Sequence, residues 1–113
     1  MFSVEKNKIV IDGKSFEFEN DIRQIIQHGD KFIVLLAIPF NDNTINNVYC
    51  LDDQAKVIWR SEDLNSRFPE LKNYLPYEQM QIKDDIIFAS DFYGRSFSIR
   101  VTDGIINDFA IVK

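Results

Sequence analysis

A strand, a polar turn and a second strand are written twice along this chain, and that pattern confines it to a fold made of sheets. The first copy is Val48-Tyr49-Cys50-Leu51-Asp52, a turn through Asp53-Gln54-Ala55, then Lys56-Val57-Ile58-Trp59-Arg60. The second is Phe97-Ser98-Ile99-Arg100-Val101, a turn through Thr102-Asp103-Gly104, then Ile105-Ile106-Asn107-Asp108-Phe109. Repeated hairpins build a protein by stacking like units, because one unit alone leaves an apolar face uncovered.

The repeat extends beyond the hairpins. Residues 24–61 and 78–112 each read as four strands in meander order, the first with a long insertion between its second and third strands. Within the first unit, Lys31-Phe32-Ile33-Val34-Leu35-Leu36-Ala37-Ile38 has no polar alternation after Lys31. A strand with two apolar faces must be covered on both, so it is expected at the centre of the stack. Pro39 ends it, and Phe40 to Asn47 is an Asn-rich loop, long for a hairpin. Asp21 to Gln27 fits either a helix or a strand. Its place before His28-Gly29-Asp30 favours a strand over its second half.

The N-terminal part reads as a hairpin. Lys8 to Ile11 runs into Asp12-Gly13, a strong turn signal, and Ser15 to Glu19 then alternates with Phe16 and Phe18 inward. Between the two units, Ser61 or Asp63 is placed to cap a short helix through Leu64 and Phe68, limited by Pro69 and Pro76. In the second unit Met80 and Ile82 share a face, Asp84-Asp85 makes a turn, and Phe92-Tyr93-Gly94-Arg95 makes another. The expected architecture is a single all-β domain over residues 1–113. It holds two four-stranded antiparallel meander (blade-like) units plus an N-terminal hairpin, packed as one sandwich-like body with at most two short helices. Trp59 shares a face with Val57 and is expected in the core.

Val48-Tyr49-Cys50-Leu51-Asp52 followed by Lys56-Val57-Ile58-Trp59 resembles the outer-strand hairpin of quinoprotein-type β-propeller repeats. Those repeats carry a tyrosine in an apolar strand, an Asp, a Gly-Lys turn and an apolar strand ending in Trp. Ala55 stands here where they carry the glycine. The resemblance implies blade-like local structure and no quinone chemistry; two blades do not close a propeller, which needs at least about four.

Chemistry is sparse. Cys50 is the only cysteine and His28 the only histidine, which leaves no intramolecular disulfide and no cysteine-rich metal site. Cys50 sits in an apolar strand with no basic neighbour to make a thiolate, so it reads as a structural thiol. His28 lies in a turn and reads as exposed. The four glycines all fall in turns, and none forms a phosphate loop. Asn41-Asp42-Asn43 lacks the Gly and distal Glu of a calcium loop. No catalytic residue, cofactor or metal is therefore expected. The net charge of −5 argues against nucleic acid. The longest apolar run, Phe32 to Ile38, is far below the ~20 residues that span a bilayer. Phe2-Ser3-Val4-Glu5 is too short and polar for a signal peptide, so a cytoplasmic location without membrane contact is expected.

What remains is a surface. In size, acidity and missing chemistry the chain is similar to the immunity proteins of bacterial toxin–immunity pairs, which act by blocking. That likeness implies a protein partner, a basic toxin domain, met by carboxylates at turns. Asp52, Asp53, Asp84, Asp85 and Asp91, with Tyr93, are the candidate contact residues. Tyr74, Tyr77, Phe92 and Tyr93 lie near chain reversals and serve either as a binding surface or as caps on the open ends of the sheets. A structural scaffold and a small-ligand binder are the competing classes. The scaffold predicts an exposed apolar patch or a symmetric dimer, the binder a deep pocket with convergent polar groups.

Overall fold

The computed structural model describes residues 1–111 and is built almost wholly of antiparallel strands. Three sheets follow one another along the chain. The first holds β1 (Phe2–Glu5), β2 (Lys8–Ile11) and β3 (Lys14–Glu17). The second holds β4 (Ile22–His28), β5 (Lys31–Leu36), β6 (Val48–Leu51) and β7 (Val57–Arg60). Among the described residues one helix, α1 (Leu64–Arg67), lies in the linker. The third sheet holds β8 (Tyr77–Lys83), β9 (Ile86–Asp91), β10 (Arg95–Arg100) and β11 (Ile106–Ile111). Both expected four-stranded meanders are present in plain sequential order, although residue 112, the expected end of the second, lies outside the described residues.

The N-terminal hairpin gains a strand. Phe2–Glu5 pairs with β2 through a turn at Lys6, which takes a positive φ of 54° without the help of a glycine. That turn carries no sequence signal, which is why β1 is not expected from the chain alone. The β2–β3 turn is the expected Asp12-Gly13, both residues at positive φ as a two-residue hairpin requires. Asp21–Gln27 resolves as strand from Ile22 onward, with an irregularity between Ile22 and Gln24. Asp63 caps α1, its carboxylate accepting from the Asn65 N–H at 3.1 Å.

The sheets stack in chain order, with a core in each gap. Phe32, Val34, Leu36 and Leu51 of the second sheet meet Ile9 and Ile11 of the first and Phe18 just beyond β3. Ile33, Leu35, Val48, Cys50 and Trp59 meet Tyr77, Met80, Ile87, Ala89, Phe97 and Ile99 of the third. β5 therefore has apolar neighbours on both faces, and from Phe32 to Leu36 no residue is more than 3% exposed. The run without polar alternation is explained by this position. The radius of gyration is 13.6 Å, close to the ~13 Å of a compact chain this long.

Register makes the internal repeat concrete. Gln24 pairs with Leu35, and Leu35 with Val48; in the third sheet Gln79 pairs with Ser90, and Ser90 with Ser96. Both first strands also break register at the same place, between Ile22 and Gln24 and between Tyr77 and Gln79. Tyr49 thus corresponds to Phe97 and Val48 to Ser96. Sequence similarity sets Val48 over Phe97, one residue off, and such a slip exchanges the two faces of a strand.

Trp59 holds the outer part of the stack. It is 8% exposed, and its indole N–H donates to the Val101 carbonyl at 2.7 Å. Gly104 lies against the ring at a φ of +77°, and a Cβ there would stand 2.5 Å from a ring carbon. Trp59→Ala is expected to lower stability by about 3–5 kcal/mol. Gly104→Ala should also destabilise although it adds only a methyl, through both clash and backbone. Urea denaturation reads both; an unchanged midpoint for either contradicts this packing.

Candidate functional site

The hairpin turns divide the candidate residues between two ends of the stack. At one end lie the β4–β5 turn with His28 and Asp30, the β6–β7 turn with Asp52 and Asp53, and the β8–β9 turn with Asp84 and Asp85. His28 joins two of these turns across the sheets, its Nε2 standing 2.6 Å from an Asp85 carboxylate oxygen. The β9–β10 turn, Phe92 to Gly94, lies at the other end of β9. Six residues of strand put it ~20 Å from Asp84 and Asp85. Asp91 and Tyr93 therefore do not share a surface with the other candidates.

Most of the candidate carboxylates are occupied. Asp52 closes its own turn, accepting from the backbone N–H of Gln54 at 2.8 Å and of Lys56 at 3.0 Å. Those bonds, the one from Lys56 foremost, hold its carboxyl below the ordinary aspartate value. Asp53 is exposed, accepting only from the Gln54 side chain at 3.3 Å. Asp84 and Asp85 are exposed and occupy a two-residue turn at φ values of 52° and 63°. In the β6–β7 turn Ala55 has a φ of 60°, the left-handed conformation that glycine favours.

Asp91 corrects the sequence reading. Its side chain is fully buried and pairs with Arg95 Nε at 2.7 Å. It also accepts from the backbone N–H of Tyr93 and Arg95, each at 3.0 Å. Arg95 also donates from Nη1 to the Lys72 carbonyl at 3.0 Å and from Nη2 to the Asn73 carbonyl at 2.7 Å, so the pair pins the linker between the two meanders to the turn. An aspartate ahead of a turn ordinarily reaches solvent; here the linker covers it. Of the two readings left open for Tyr77, the structure rules out surface, since it is 1% exposed and packs edge-on to Phe97. Tyr74 is half-buried and donates to the Phe68 carbonyl at 2.6 Å.

The Phe92–Tyr93 turn is the exposed feature that this network supports. Phe92 is 80% and Tyr93 55% exposed, and the Arg95 guanidinium lies 5.3 Å from the centre of the Tyr93 ring. Gly94 at a φ of +81° returns the chain into β10, and its N–H donates to the Asp91 carbonyl at 3.0 Å. Turn tips ordinarily carry Gly, Asn, Asp or Ser, so two large aromatics there gain little for folding. Phe40, in the β5–β6 loop at the same end, is also wholly exposed.

Cys50 is buried, and burial pushes its thiol up to about 11, away from any thiolate chemistry. Among the described residues no three of His, Cys, Asp and Glu gather as a metal site would need. No helix there is long and apolar enough to cross a membrane.

Two polar residues that the sequence did not single out do the joining. Asn47 is fully buried and bonds both main-chain groups of Tyr77: its Nδ2 donates to the carbonyl at 2.9 Å and its Oδ1 accepts from the N–H at 2.9 Å. Its Nδ2 also donates to the Leu36 carbonyl at 2.8 Å. Gln24 treats Met80 the same way, donating to its carbonyl at 2.7 Å and accepting from its N–H at 3.0 Å. A buried Asn closing an Asn-rich loop, directly before an apolar strand, is the only sequence signal for the first.

The chain belongs to the family described as "Domain of unknown function (DUF7957)", which matches residues 1–110. No curated protein matches it. Among solved structures it is similar to the computationally designed protein Ika8, with a TM-score of 0.64 at 8% identity. The likeness covers 99% of this chain and 36% of the designed one, so the chain spans about a third of that protein's length. At that identity the likeness concerns the fold alone.

The depressed Asp52 carboxyl predicts an acid limb of stability. A group with a lowered folded value stabilises above its unfolded value, ~3.9, and loses that contribution as pH falls through the folded value. Asp52→Asn keeps an acceptor in the turn but has no proton to gain. The wild type should therefore lose more stability than the variant between pH 5 and pH 2.5, measured by urea midpoints. Equal losses would mean that the turn does not depend on the charge.

Proposed function

We propose that this protein is a non-catalytic protein-binding domain that acts in the cytoplasm by covering a partner's surface. The exposed Phe92–Tyr93 pair on a braced turn is the observation that carries this reading. Aromatics are favoured at the centres of interfaces, and a contact that is already rigid loses little entropy on binding. The buried Asp91–Arg95 pair supplies that rigidity. The unpaired, unreactive Cys50 agrees with a reducing compartment and with a non-catalytic role.

Occlusion of a basic toxin, as an immunity protein would achieve it, is the form of binding that the acidic turns would serve. Asp53 and Asp84 are the carboxylates left for it, since Asp52 and Asp91 are engaged within the fold and Asp85 contacts His28. Lys31, Lys56 and Lys83 flank the same turns, which weakens the local negative field. The aromatic end is accordingly the stronger candidate for the contact, with charge affecting capture rate more than affinity. The successive meanders, stacked face to face, fit the blade-like reading of the repeat, which we keep as part of this proposal.

The test is capture of the partner from the native host, followed by binding kinetics of two double variants. Phe92→Ser/Tyr93→Ser should weaken affinity by ~30-fold or more, the size of a lost hot spot. It should leave unfolding stability within ~0.5 kcal/mol, as for ordinary surface changes. Asp53→Lys/Asp84→Lys should alter mainly the association rate and its salt dependence. Undiminished affinity in the aromatic variant would refute the assignment of the contact.

A further inference from the structure

We propose that the free edge of β1, beside β4, is a binding site for an extended segment of a partner protein, which adds the strand that the first sheet lacks. This deepens the protein-binding reading above, on which it rests for the partner being a protein.

The repeat shows which strand is missing. Among the described residues the first sheet has three strands and the others four. Its β1 corresponds to β5, the second strand of the next sheet, and the rings of Phe2 and Phe32 meet edge-on at 5.3 Å. Its β2 corresponds to β6. The chain just before β2 gives the Lys6 carbonyl to the Ile22 N–H at 2.8 Å, as Asn47 just before β6 gives its Oδ1 to the Tyr77 N–H at 2.9 Å. Register makes Ile22 and Tyr77 equivalent. The strand without a counterpart is therefore the first, the place that β4 and β8 take in their own sheets.

What surrounds that place is left unfinished. The Met1 carbonyl accepts from the Asp12 N–H, which sets the phase of the β1–β2 ladder and turns the N–H and C=O of Phe2 and Val4 outward. Val4 shares a face with Phe2, yet it is 42% exposed. On β4, Ile22 and Ile25 pack against the core between the first two sheets and are only half-buried. Ile25 is the equivalent of Met80, whose N–H and C=O face away from β9 and are met by Gln24 at 3.0 and 2.7 Å. Among the described residues no side chain meets those of Ile25. The apolar interface between the first and second sheets thus stops where a first strand would continue it.

The contacts between first strands define the occupant. A glutamine at the position of Gln24 would meet the main chain of Ile25. An apolar residue two positions on, where Ile26 stands, would lie over the half-buried isoleucines. The residue just before the glutamine would stand beside Arg23. That guanidinium pairs with Glu78 through Nη1 at 3.1 Å, and among the described residues its Nε and Nη2 have no partner. An acidic residue is therefore favoured there. The segment sought is an extended one reading acidic, Gln, any residue, apolar.

The probe is an acetylated and amidated peptide of residues 21–28 carrying Arg23→Glu, which is the strand that fills the equivalent place in the second sheet with its charge reversed. Titrated into the isotope-labelled full chain, it should shift the Val4 and Ile25 backbone amides saturably by millimolar concentration. The unaltered 21–28 peptide should bind at least about threefold more weakly, since its arginine meets Arg23. Val4→Pro removes an outward N–H at an edge position that tolerates proline. It should keep the melting temperature and weaken binding at least about fivefold. Arg23→Gln, an exposed change, should erase the preference between the two peptides, and it decides the case if Val4→Pro fails to fold. Absence of saturable shifts overturns the proposal, as does equal affinity of the two peptides for the wild type. Shifts centred on Phe92 and Tyr93 also overturn it. A captured native partner that needs Phe92 and Tyr93 but binds Val4→Pro and Arg23→Gln as tightly as the wild type leaves the protein-binding reading standing and refutes this site. A partner weakened by those two variants and indifferent to Phe92 and Tyr93 supports this site and refutes the aromatic contact.

Discussion

Two side-chain amides hold the free edge of β8 to the second sheet, and the packing of the molecule depends on them. An edge strand leaves main-chain N–H and C=O groups without partners, and leaving them unpaired in a protein interior costs about 1–3 kcal/mol each. Asn47 and Gln24 meet both groups of Tyr77 and of Met80. They take the place of a neighbouring strand without adding one. Once β8 is seated in this way, the Tyr77 ring and the Met80 side chain enter the core between the second and third sheets. The same contacts explain why Asn47, a polar residue, is tolerated with no exposed surface: each of its amide groups is bonded.

The stack also shows how a repeat architecture is ended. The outer face of the third sheet exchanges Ile26, Leu35, Val48 and Cys50 for Gln81, Ser90, Ser96 and Ser98. The outer face of the first sheet carries Ser3, Val10 and Ser15, which are paired across β1, β2 and β3. Terminal units with a polar outer side keep a stacked protein from adding further copies. β5 has the opposite composition for the same reason, being enclosed between two layers.

Much of this was legible in the chain because strand chemistry is local. The apolar run Phe32–Leu36 announced a strand covered on both faces, and Asp12-Gly13 announced its turn. The alternation of Phe97, Ile99 and Val101 matches the structure, where all three are buried. The register of the repeat was not legible, because a strand apolar on both faces gives no phase. The hairpin similarity sets Val48 over Phe97, and only the partner strands put Tyr49 there. The candidate site was less legible still. Asp91 has the sequence setting of a solvated turn residue, and only the distant linker at Lys72 and Asn73 reveals its burial. Asn47 and Gln24 act across 30 and 56 residues, and no local pattern records such a contact.

The central claim is that amides, rather than a strand, satisfy the edge of β8. Native-state hydrogen exchange at the Met80 N–H tests it most directly. In the wild type this amide should exchange slowly although it faces away from β9. In Gln24→Ala its exchange should accelerate by at least ~10-fold, about 1.4 kcal/mol of lost protection, while amides in the centre of β9 and β10 change far less. Fast exchange at Met80 in the wild type, or protection unchanged in the variant, would contradict the account.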